Sequence, residues 1–199
     1  MTTIYLIRHA EAEGNIYRRY HGWYNSLITL NGYRQIQALE KRFEGVRIDA
    51  VYSSDLFRTM TTAGALYKSR GLELHTDSGL REIGGGVWED KTWGWLHREN
   101  EGALDAFNRA DPAWQVEGSE TFGGVQMRVT HAIRRIAAAH PGQTVAIFSH
   151  GTAIRTALAK FYGYSLDQIA RVPHGDNTCV SKLLIDGEQV DVEYFNDNS

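Results

Sequence analysis

Short apolar runs alternate with longer segments of helical periodicity along most of the chain. The runs are rich in Val, Ile, Leu and aromatic residues, as buried strands are, and they lie at 4–7, 48–54, 72–75, 145–148, 179–185 and 190–195. Apolar residues recur every three or four positions in the segments 30–43, 55–69, 122–140 and 152–162. This alternation predicts a three-layer α/β/α sandwich with a mainly parallel central sheet.

Polar residues indicate where two of these helices begin. Thr29 is a good N-cap for the segment 30–43, and Asp55 is an acceptable N-cap for the segment 55–69. Arg58 then falls in the first turn of its helix, where the helix dipole disfavours a positive charge. An arginine in that place is better explained if a bound anion offsets its charge.

Residues 92–120 interrupt the alternation. Their composition is aromatic and acidic, and they contain Pro112 and Gly118. We interpret this stretch as short helices that form a small cover, inserted into a single domain that spans residues 1–199. No internal repeat or linker divides the chain.

Two of the predicted strands end in a histidine. The first apolar run leads into Arg8 and His9, and the run at 145–148 leads into Ser149, His150 and Gly151. The carboxyl ends of parallel strands meet at one edge of a sheet, which is where open α/β sheets bind ligands. Two imidazoles with arginines nearby suit a phosphoryl group. Taken singly, a histidine at a strand end is more often a structural hydrogen-bonding residue.

Composition and charge exclude several classes of protein. The chain is 42% hydrophobic and 23% charged, as globular proteins are, and its net charge of −3 argues against a nucleic-acid binder with a general basic surface. Cys179 is the only cysteine, so no intrachain disulfide or cysteine-based zinc site can form. Arg8 ends the first apolar run too early for a signal peptide or membrane span. We therefore expect a cytoplasmic protein without membrane or nucleic-acid partners.

Eight short motifs occur in one order along nearly the whole chain. They are Arg8-His9-Ala10-Glu11, Gly14-Asn15, residues 22–29 (GWYNSLIT), residues 52–59 (YSSDLFRT), residues 80–83 (LREI), Trp88-Glu89, residues 118–121 (GSET) and residues 149–155 (SHGTAIR). In these motifs the chain resembles the histidine phosphatase superfamily, also called the phosphoglycerate mutase-like family. Four positions depart from the family pattern, with Ala10 for Gly, Asn25 for Asp, Leu27 for Pro and Asp90 for Gly. Ala10 matters most, because it adds a methyl group beside the expected nucleophile.

The resemblance implies a phosphomonoester hydrolase that acts through a phosphohistidine intermediate. His9 would attack phosphorus in its neutral form, and nearby arginines favour that form by like-charge repulsion. Arg8, Arg58 and Asn15 would bind the phosphoryl oxygens. His150, if protonated, would add a further donor, and neither a metal nor another cofactor would be required.

Glu82 is expected to protonate the leaving oxygen and then to activate water. The alternative is a structural ion pair with Arg81 or Arg58. In the first loop, residues 10–28, the candidates for substrate binding are His21, Trp23 and Tyr24. The substrate is expected to be a small phosphorylated metabolite, and the protein a monomer or homodimer.

Rival functions are less well supported by the sequence. A serine hydrolase built on Ser149 would place a glycine where Ile147 stands, and no metalloprotease-like histidine motif occurs. Within the family, phosphoglycerate mutases carry a basic, tyrosine-containing stretch after the conserved glutamate. Here that stretch reads Gly84-Gly85-Gly86-Val87-Trp88, so a phosphatase is preferred. A non-catalytic phosphate-binding relative is the remaining alternative.

Overall fold

The computed structural model describes all 199 residues. Its centre is a six-stranded sheet formed by β1 (Thr2–Arg8), β2 (Ala50–Ser53), β3 (Leu74–Thr76), β4 (Thr144–Ser149), β5 (Val180–Asp186) and β6 (Gln189–Asp197). The strand order is β3-β2-β4-β1-β5-β6. The first four strands in this order pair in parallel, whereas β5 and β6 join as an antiparallel pair. The predicted mainly parallel sheet is confirmed.

Seven α-helices connect and cover these strands. They are α1 (Glu13–Ile16), α2 (Leu30–Arg42), α3 (Phe57–Tyr67), α4 (Trp93–Glu99), α5 (Glu101–Asn108), α6 (Phe122–Ala139) and α7 (Gly151–Phe161). The short helix α1 falls in the segment 10–28, for which the sequence has no helical period. No helix has both the length and the apolar surface that a membrane span requires.

The caps of α2 and α3 differ in how well the sequence predicts them. The Thr29 hydroxyl accepts from Gly32 N and caps α2, as expected. The expected cap of α3 is wrong, because the Asp55 carboxylate forms an ion pair with Arg81 instead. The side chain of Asn25 takes the capping position, since its Oδ1 accepts from Phe57 N at 2.9 Å. A residue from the first loop therefore ties that loop to the start of α3.

Strand register places the expected site residues side by side. In the parallel β1/β4 pair, Arg8 lies opposite Ser149, and in the β2/β4 pair Ser53 lies opposite Phe148. The residues that follow these strands, His9, His150 and Ser54, therefore emerge at the same edge of the sheet. This is the carboxyl edge of the parallel strands, where α/β folds bind ligands.

Helices cover both faces of the sheet, which buries alternate side chains of β1 on opposite sides. Leu6 belongs to the larger hydrophobic cluster, which is formed with α6 and α7. Ile7 belongs to a second cluster, which includes Leu39 of α2 and Leu66 of α3. The Leu6 and Ile7 side chains are both fully buried. The three-layer arrangement follows from this two-sided burial.

Aromatic side chains join the segment 92–120 to the rest of the molecule. The Phe107 ring of α5 packs edge-on against Tyr20, Trp88 and Trp114, with centroid distances of 4.9–5.9 Å. Such pairs bury large apolar areas and prefer this geometry. Because Tyr20 belongs to the first loop, the cluster holds that loop and the two short helices together.

Two glycines of the triple-glycine stretch occupy places that no side chain could fill. A Cβ on Gly85 would overlap the Tyr20 ring. Gly86 adopts a φ of +54°, and a Cβ there would overlap the backbone of residues 117–119. Glycine, which has no Cβ, permits both the close approach at Gly85 and the positive φ at Gly86.

We predict that Gly86→Ala lowers the free energy of unfolding by about 2–4 kcal/mol, because it adds left-handed strain and a steric overlap with backbone. The matched control is Gly94→Ala in α4, where a Cβ meets open space. That control should be neutral or stabilising by up to about 1 kcal/mol. Urea unfolding of both variants measures the difference, and equal effects would contradict the assigned overlap.

Candidate active site

A cavity of about 490 Å³ lies at the carboxyl edge of the parallel strands. It brings together most of the side chains that the sequence predicts for the site. Those that line it are Arg8, His9, Asn15, His21, Arg58 and Glu82. His150 lies behind them, fully buried, with its ring centroid 5.3 Å from that of His9.

The His9 imidazole is neutral and held in one tautomer. Its Nδ1 lies 2.8 Å from the carbonyl oxygen of Ala10, which can only accept, so Nδ1 carries the proton. Burial, followed by the charges of Arg58 and Arg8, lowers the pKa of His9 well below its usual value. The lone pair is therefore on Nε2. His9 is only 3% exposed and lines the cavity, so this nitrogen is suited to nucleophilic attack.

The Ala10 methyl group is accommodated without strain. Ala10 is fully buried, and its φ is not in the left-handed region. Its backbone N–H donates to the Thr62 hydroxyl at 2.9 Å. The backbone beside His9 therefore does not require the glycine that is usual in the family.

Arg58 is a buried cation without a carboxylate partner. Its side chain is 0% exposed, and no carboxylate lies within ion-pair distance. The guanidinium donates to the carbonyl oxygens of Gly22 at 2.7 Å and Tyr24 at 2.9 Å. Burial lowers the pKa of Arg58 to about 10. Neutral acceptors thus position the charge without neutralising it, which leaves it available to an anion in the cavity.

Arg8 offers a second cationic donor to the cavity. Its Nη1 donates to the carbonyl oxygen of Gly175, in the loop before β5. Its Nε is buried and has no hydrogen-bond partner. Buried donors are nearly always satisfied, so this atom suits an acceptor oxygen of a bound ligand.

The His150 ring is held between an arginine and a serine. Arg58 Nε donates to His150 Nδ1 at 3.1 Å, so the ring proton is on Nε2, which donates to Ser54 Oγ at 2.7 Å. Burial and Arg58 lower the pKa of His150 well below its usual value. A protonated His150 is therefore disfavoured in this arrangement. Ser54 was not singled out from the sequence, although it belongs to the motif at residues 52–59.

The Glu82 carboxylate lies at the amino terminus of α7. Its two oxygens accept from the backbone N–H groups of Thr152 at 3.1 Å and Ala153 at 2.9 Å. It forms no ion pair, since Arg81 is paired with Asp55 and Arg58 is bound to loop carbonyls. The structural ion-pair alternative for Glu82 is therefore wrong. These backbone hydrogen bonds hold the Glu82 side chain at the cavity wall.

Arg128 of α6 holds the backbone that carries Glu82. Its guanidinium donates to the carbonyl oxygens of Arg81 at 2.8 Å and Glu82 at 3.1 Å, and it pairs with Glu120. Glu120 in turn accepts from Gly84 N at 2.9 Å. Sequence analysis did not identify Arg128, because an arginine on a helix face carries no local signal of this long-range role.

The first loop contributes fewer side chains to the cavity than predicted. The Oδ1 of Asn15 accepts from Ala12 N, which leaves its amide N–H groups for a ligand. His21 lines the cavity, and burial followed by Arg58 and Arg8 lowers its pKa to about 3. The prediction for Trp23 and Tyr24 is not supported, since neither side chain lines the cavity.

Trp23 and Tyr24 instead hold the site through other contacts. The Trp23 indole N–H donates to the carbonyl oxygen of Glu82 at 2.8 Å. The backbone N–H groups of both residues donate to the Glu89 carboxylate, at 3.0 and 2.8 Å. Glu89 also accepts from Gly85 N, and burial raises its pKa. This half-buried carboxylate connects the first loop to the triple-glycine stretch.

The rival site built on Ser149 has no nucleophile in position. Ser149 is fully buried, and its hydroxyl donates to the carbonyl oxygen of Leu80 at 2.7 Å. Both ring nitrogens of the adjacent His150 are bonded elsewhere. No group of three or more His, Cys, Asp or Glu side chains is arranged to hold a metal ion.

The chain is similar to known proteins in sequence and in overall fold. A sequence model of the histidine phosphatase superfamily (branch 1) matches residues 4–198. The solved structure of YhfR from Bacillus stearothermophilus is 34% identical, with a TM-score of 0.96 over 100% of this chain and 98% of that one. The alpha-ribazole phosphatase of Shigella flexneri is 25% identical, with a TM-score of 0.87 over 98% of this chain and 96% of that one. A curated relative from Cronobacter sakazakii, named a probable phosphoglycerate mutase GpmB, is 29% identical over 163 residues, 82% of this chain and 76% of the relative.

We predict that acidification destabilises the ligand-free protein through three histidines that are neutral in the folded state. The pKa values of His9, His21 and His150 are lowered in the folded state, whereas unfolded histidine titrates near 6.5. Their stabilising contribution is complete above pH 6.5 and is lost as the pH falls, for His21 down to about 3. At pH 5 the loss is at most about 2 kcal/mol per histidine.

Urea unfolding at pH 7 and pH 5 tests this linkage. His21→Gln should reduce the difference in the free energy of unfolding between the two pH values by at most about 2 kcal/mol, because it removes one partly buried imidazole. The control His131→Gln changes an exposed histidine on α6 and should leave the difference unaltered. A parent protein that is equally stable at both pH values would contradict the assignment.

Proposed function

The chain belongs to the histidine phosphatase superfamily, and from this premise we propose that it hydrolyses small phosphomonoesters through a phosphohistidine at His9. The observation that carries the proposal is the tautomer of His9, whose Nδ1–H is bound to Ala10 O and whose Nε2 is unprotonated. Arg8 and Arg58 line the same cavity as this nitrogen. A cavity of about 490 Å³ has the size of a small-molecule site.

In the first step, the lone pair of His9 Nε2 attacks phosphorus and forms an N–P bond. The bond between phosphorus and the ester oxygen breaks, and the departing oxygen takes a proton from the Glu82 carboxyl group. Arg8, Arg58 and Asn15 bind the three other phosphoryl oxygens, where transition-state charge accumulates.

In the second step, water attacks the phosphorus of phosphohistidine. The Glu82 carboxylate takes a proton from that water, and the N–P bond electrons return to His9 Nε2. Inorganic phosphate leaves, and both residues regain their starting forms. The backbone bonds from α7 hold Glu82 in place for both proton transfers.

A phosphatase is favoured over a mutase, although several curated relatives are named probable phosphoglycerate mutases. The alpha-ribazole phosphatase of Shigella flexneri shares the fold over nearly the whole length of both chains, which supports phosphatase action. The triple-glycine stretch after Glu82 carries no basic side chains for a phosphoglycerate carboxylate. Release of inorganic phosphate, rather than transfer between positions of one substrate, distinguishes the two activities.

We predict that His9→Asn lowers phosphatase activity by several orders of magnitude, because asparagine can donate to Ala10 O but cannot form the covalent intermediate. The parent should remain active in a chelator. Phosphate release from an aryl phosphate measures both effects, and His131→Asn is the control. A folded His9→Asn protein with parental activity, or parental activity lost in chelator and restored by a divalent ion, would exclude the proposed mechanism.

We predict that Glu82→Gln slows phosphorylation by alkyl phosphates much more than phosphorylation by aryl phosphates. An alkoxide needs a proton in order to leave, whereas a nitrophenolate leaves unaided. Rapid-quench trapping of phosphohistidine separates the two steps, and the intermediate should accumulate because water activation is also impaired. Glu82→Asp keeps a carboxyl group and should recover part of the alkyl phosphate rate. Equal slowing for both ester classes would assign Glu82 a structural role.

A further inference from the structure

One arginine of the cavity has no partner in the protein. Arg18 is exposed, and its side chain forms no hydrogen bond and no ion pair, although it lines the same cavity as His9 and Glu82. Its neighbour Arg19 also lines the cavity but is bound to Asp90, at 3.0 Å from the carboxylate and 2.7 Å from the carbonyl oxygen. The guanidinium of Arg18 is therefore free to bind a ligand.

The backbone at Arg18 favours a different residue. Arg18 adopts a φ of +52° in the turn that follows α1, and Arg19 N donates to Gly14 O at 2.9 Å to close that turn. Glycine is the usual residue at such a position, because other residues are strained there. Folding stability therefore does not explain an arginine at position 18, and strain of this kind is typical of functional sites.

The turn that carries Arg18 is held firmly. The carbonyl oxygen of Arg18 accepts from Trp93 N at 2.8 Å, so α4, the first helix of the segment 92–120, fixes the backbone of the turn. Arg19 pairs with Thr92 in an isolated bridge on the same side. The backbone from which the Arg18 side chain reaches the cavity is therefore fixed.

The charge of the cavity exceeds what one phosphoryl group requires. Four arginines line it, and Glu82 is the only carboxylate among the lining residues. Asp90 pairs with Arg19, whereas Arg8 and Arg58 lie with His9 and are assigned to the phosphoryl group. Arg18 remains without an anion once that group is bound.

We propose that Arg18 binds a second anionic group on the leaving-group side of the substrate, and so selects phosphomonoesters that carry a carboxylate or a second phosphate. This inference rests on the proposed phosphatase function and names the class of substrate. A guanidinium binds either anion through charge-assisted hydrogen bonds. Because Arg18 is exposed, solvent weakens the interaction, and the expected preference is about three- to tenfold in kcat/KM.

Three substrates of equal chain length test the preference. They are n-propyl phosphate, 3-(phosphonooxy)propanoate and propane-1,3-diol bisphosphate, which end in a methyl group, a carboxylate and a phosphate. The parent should hydrolyse at least one of the two anionic substrates about three- to tenfold faster, in kcat/KM, than propyl phosphate. Which of the two is preferred identifies the second anion.

Arg18→Gly is the decisive variant, because it removes the cation and relieves the backbone strain together. Its kcat/KM for propyl phosphate should stay within about threefold of the parent, while the preference falls to about one. Its melting temperature should be unchanged or raised by about 2–4 °C. Arg18→Lys should keep part of the preference, and Arg109→Ala, which removes an exposed arginine outside the cavity, should keep all of it.

The outcomes separate this inference from the phosphatase proposal. A parent that hydrolyses propyl phosphate without preferring either anionic substrate overturns only the inference, as does a preference that survives in Arg18→Gly. A lowered melting temperature in Arg18→Gly with an unchanged substrate preference would assign the residue a structural role and overturn the inference. A parent that hydrolyses none of the three substrates, nor an aryl phosphate, overturns both proposals.

Discussion

A buried guanidinium without a carboxylate partner is the constraint on which the rest of this site depends. The Arg58 charge is held by the carbonyl oxygens of Gly22 and Tyr24, so the first loop must fold back over α3 before the arginine is satisfied. Its Nε fixes the ring of His150, and its charge helps to keep His9 neutral. A carboxylate partner would neutralise the charge and also compete with an anionic ligand for it.

The parts of the fold that depend on local periodicity could be predicted from the sequence. The strand ends at Arg8-His9 and Ser149-His150 meet because β1 and β4 are neighbouring parallel strands. The carboxyl ends of such strands lie at one edge of the sheet. The cap of α3 could not be predicted in this way. Asp55 is a suitable local cap, but Arg81 is nearby in space and binds it, and Asn25 takes its place from 32 residues away.

Long-range contacts also explain what sequence reasoning missed in the site. Trp23 and Tyr24 are aromatic residues in a loop of the site, which suggests substrate binding. Their positions are instead set by hydrogen bonds to the Glu89 carboxylate and to the carbonyl oxygen of Glu82. Asp90 occupies a left-handed position, with a φ of +60°, and its carboxylate binds Arg19. Asp90 therefore has a side-chain contact that offsets its backbone strain, whereas Arg18 has none.

The position of β1 has a consequence for how the protein is made. The strand that carries Arg8 and His9 is the first to be synthesised, but it lies inside the sheet between β4 and β5. Both neighbours come from the last third of the chain, so their pairings have high contact order. The nucleophile therefore stays on an unpaired strand during most of translation. The pairing of β1 with β4, which brings His9 beside His150, can form only after residues 144–149 have been synthesised.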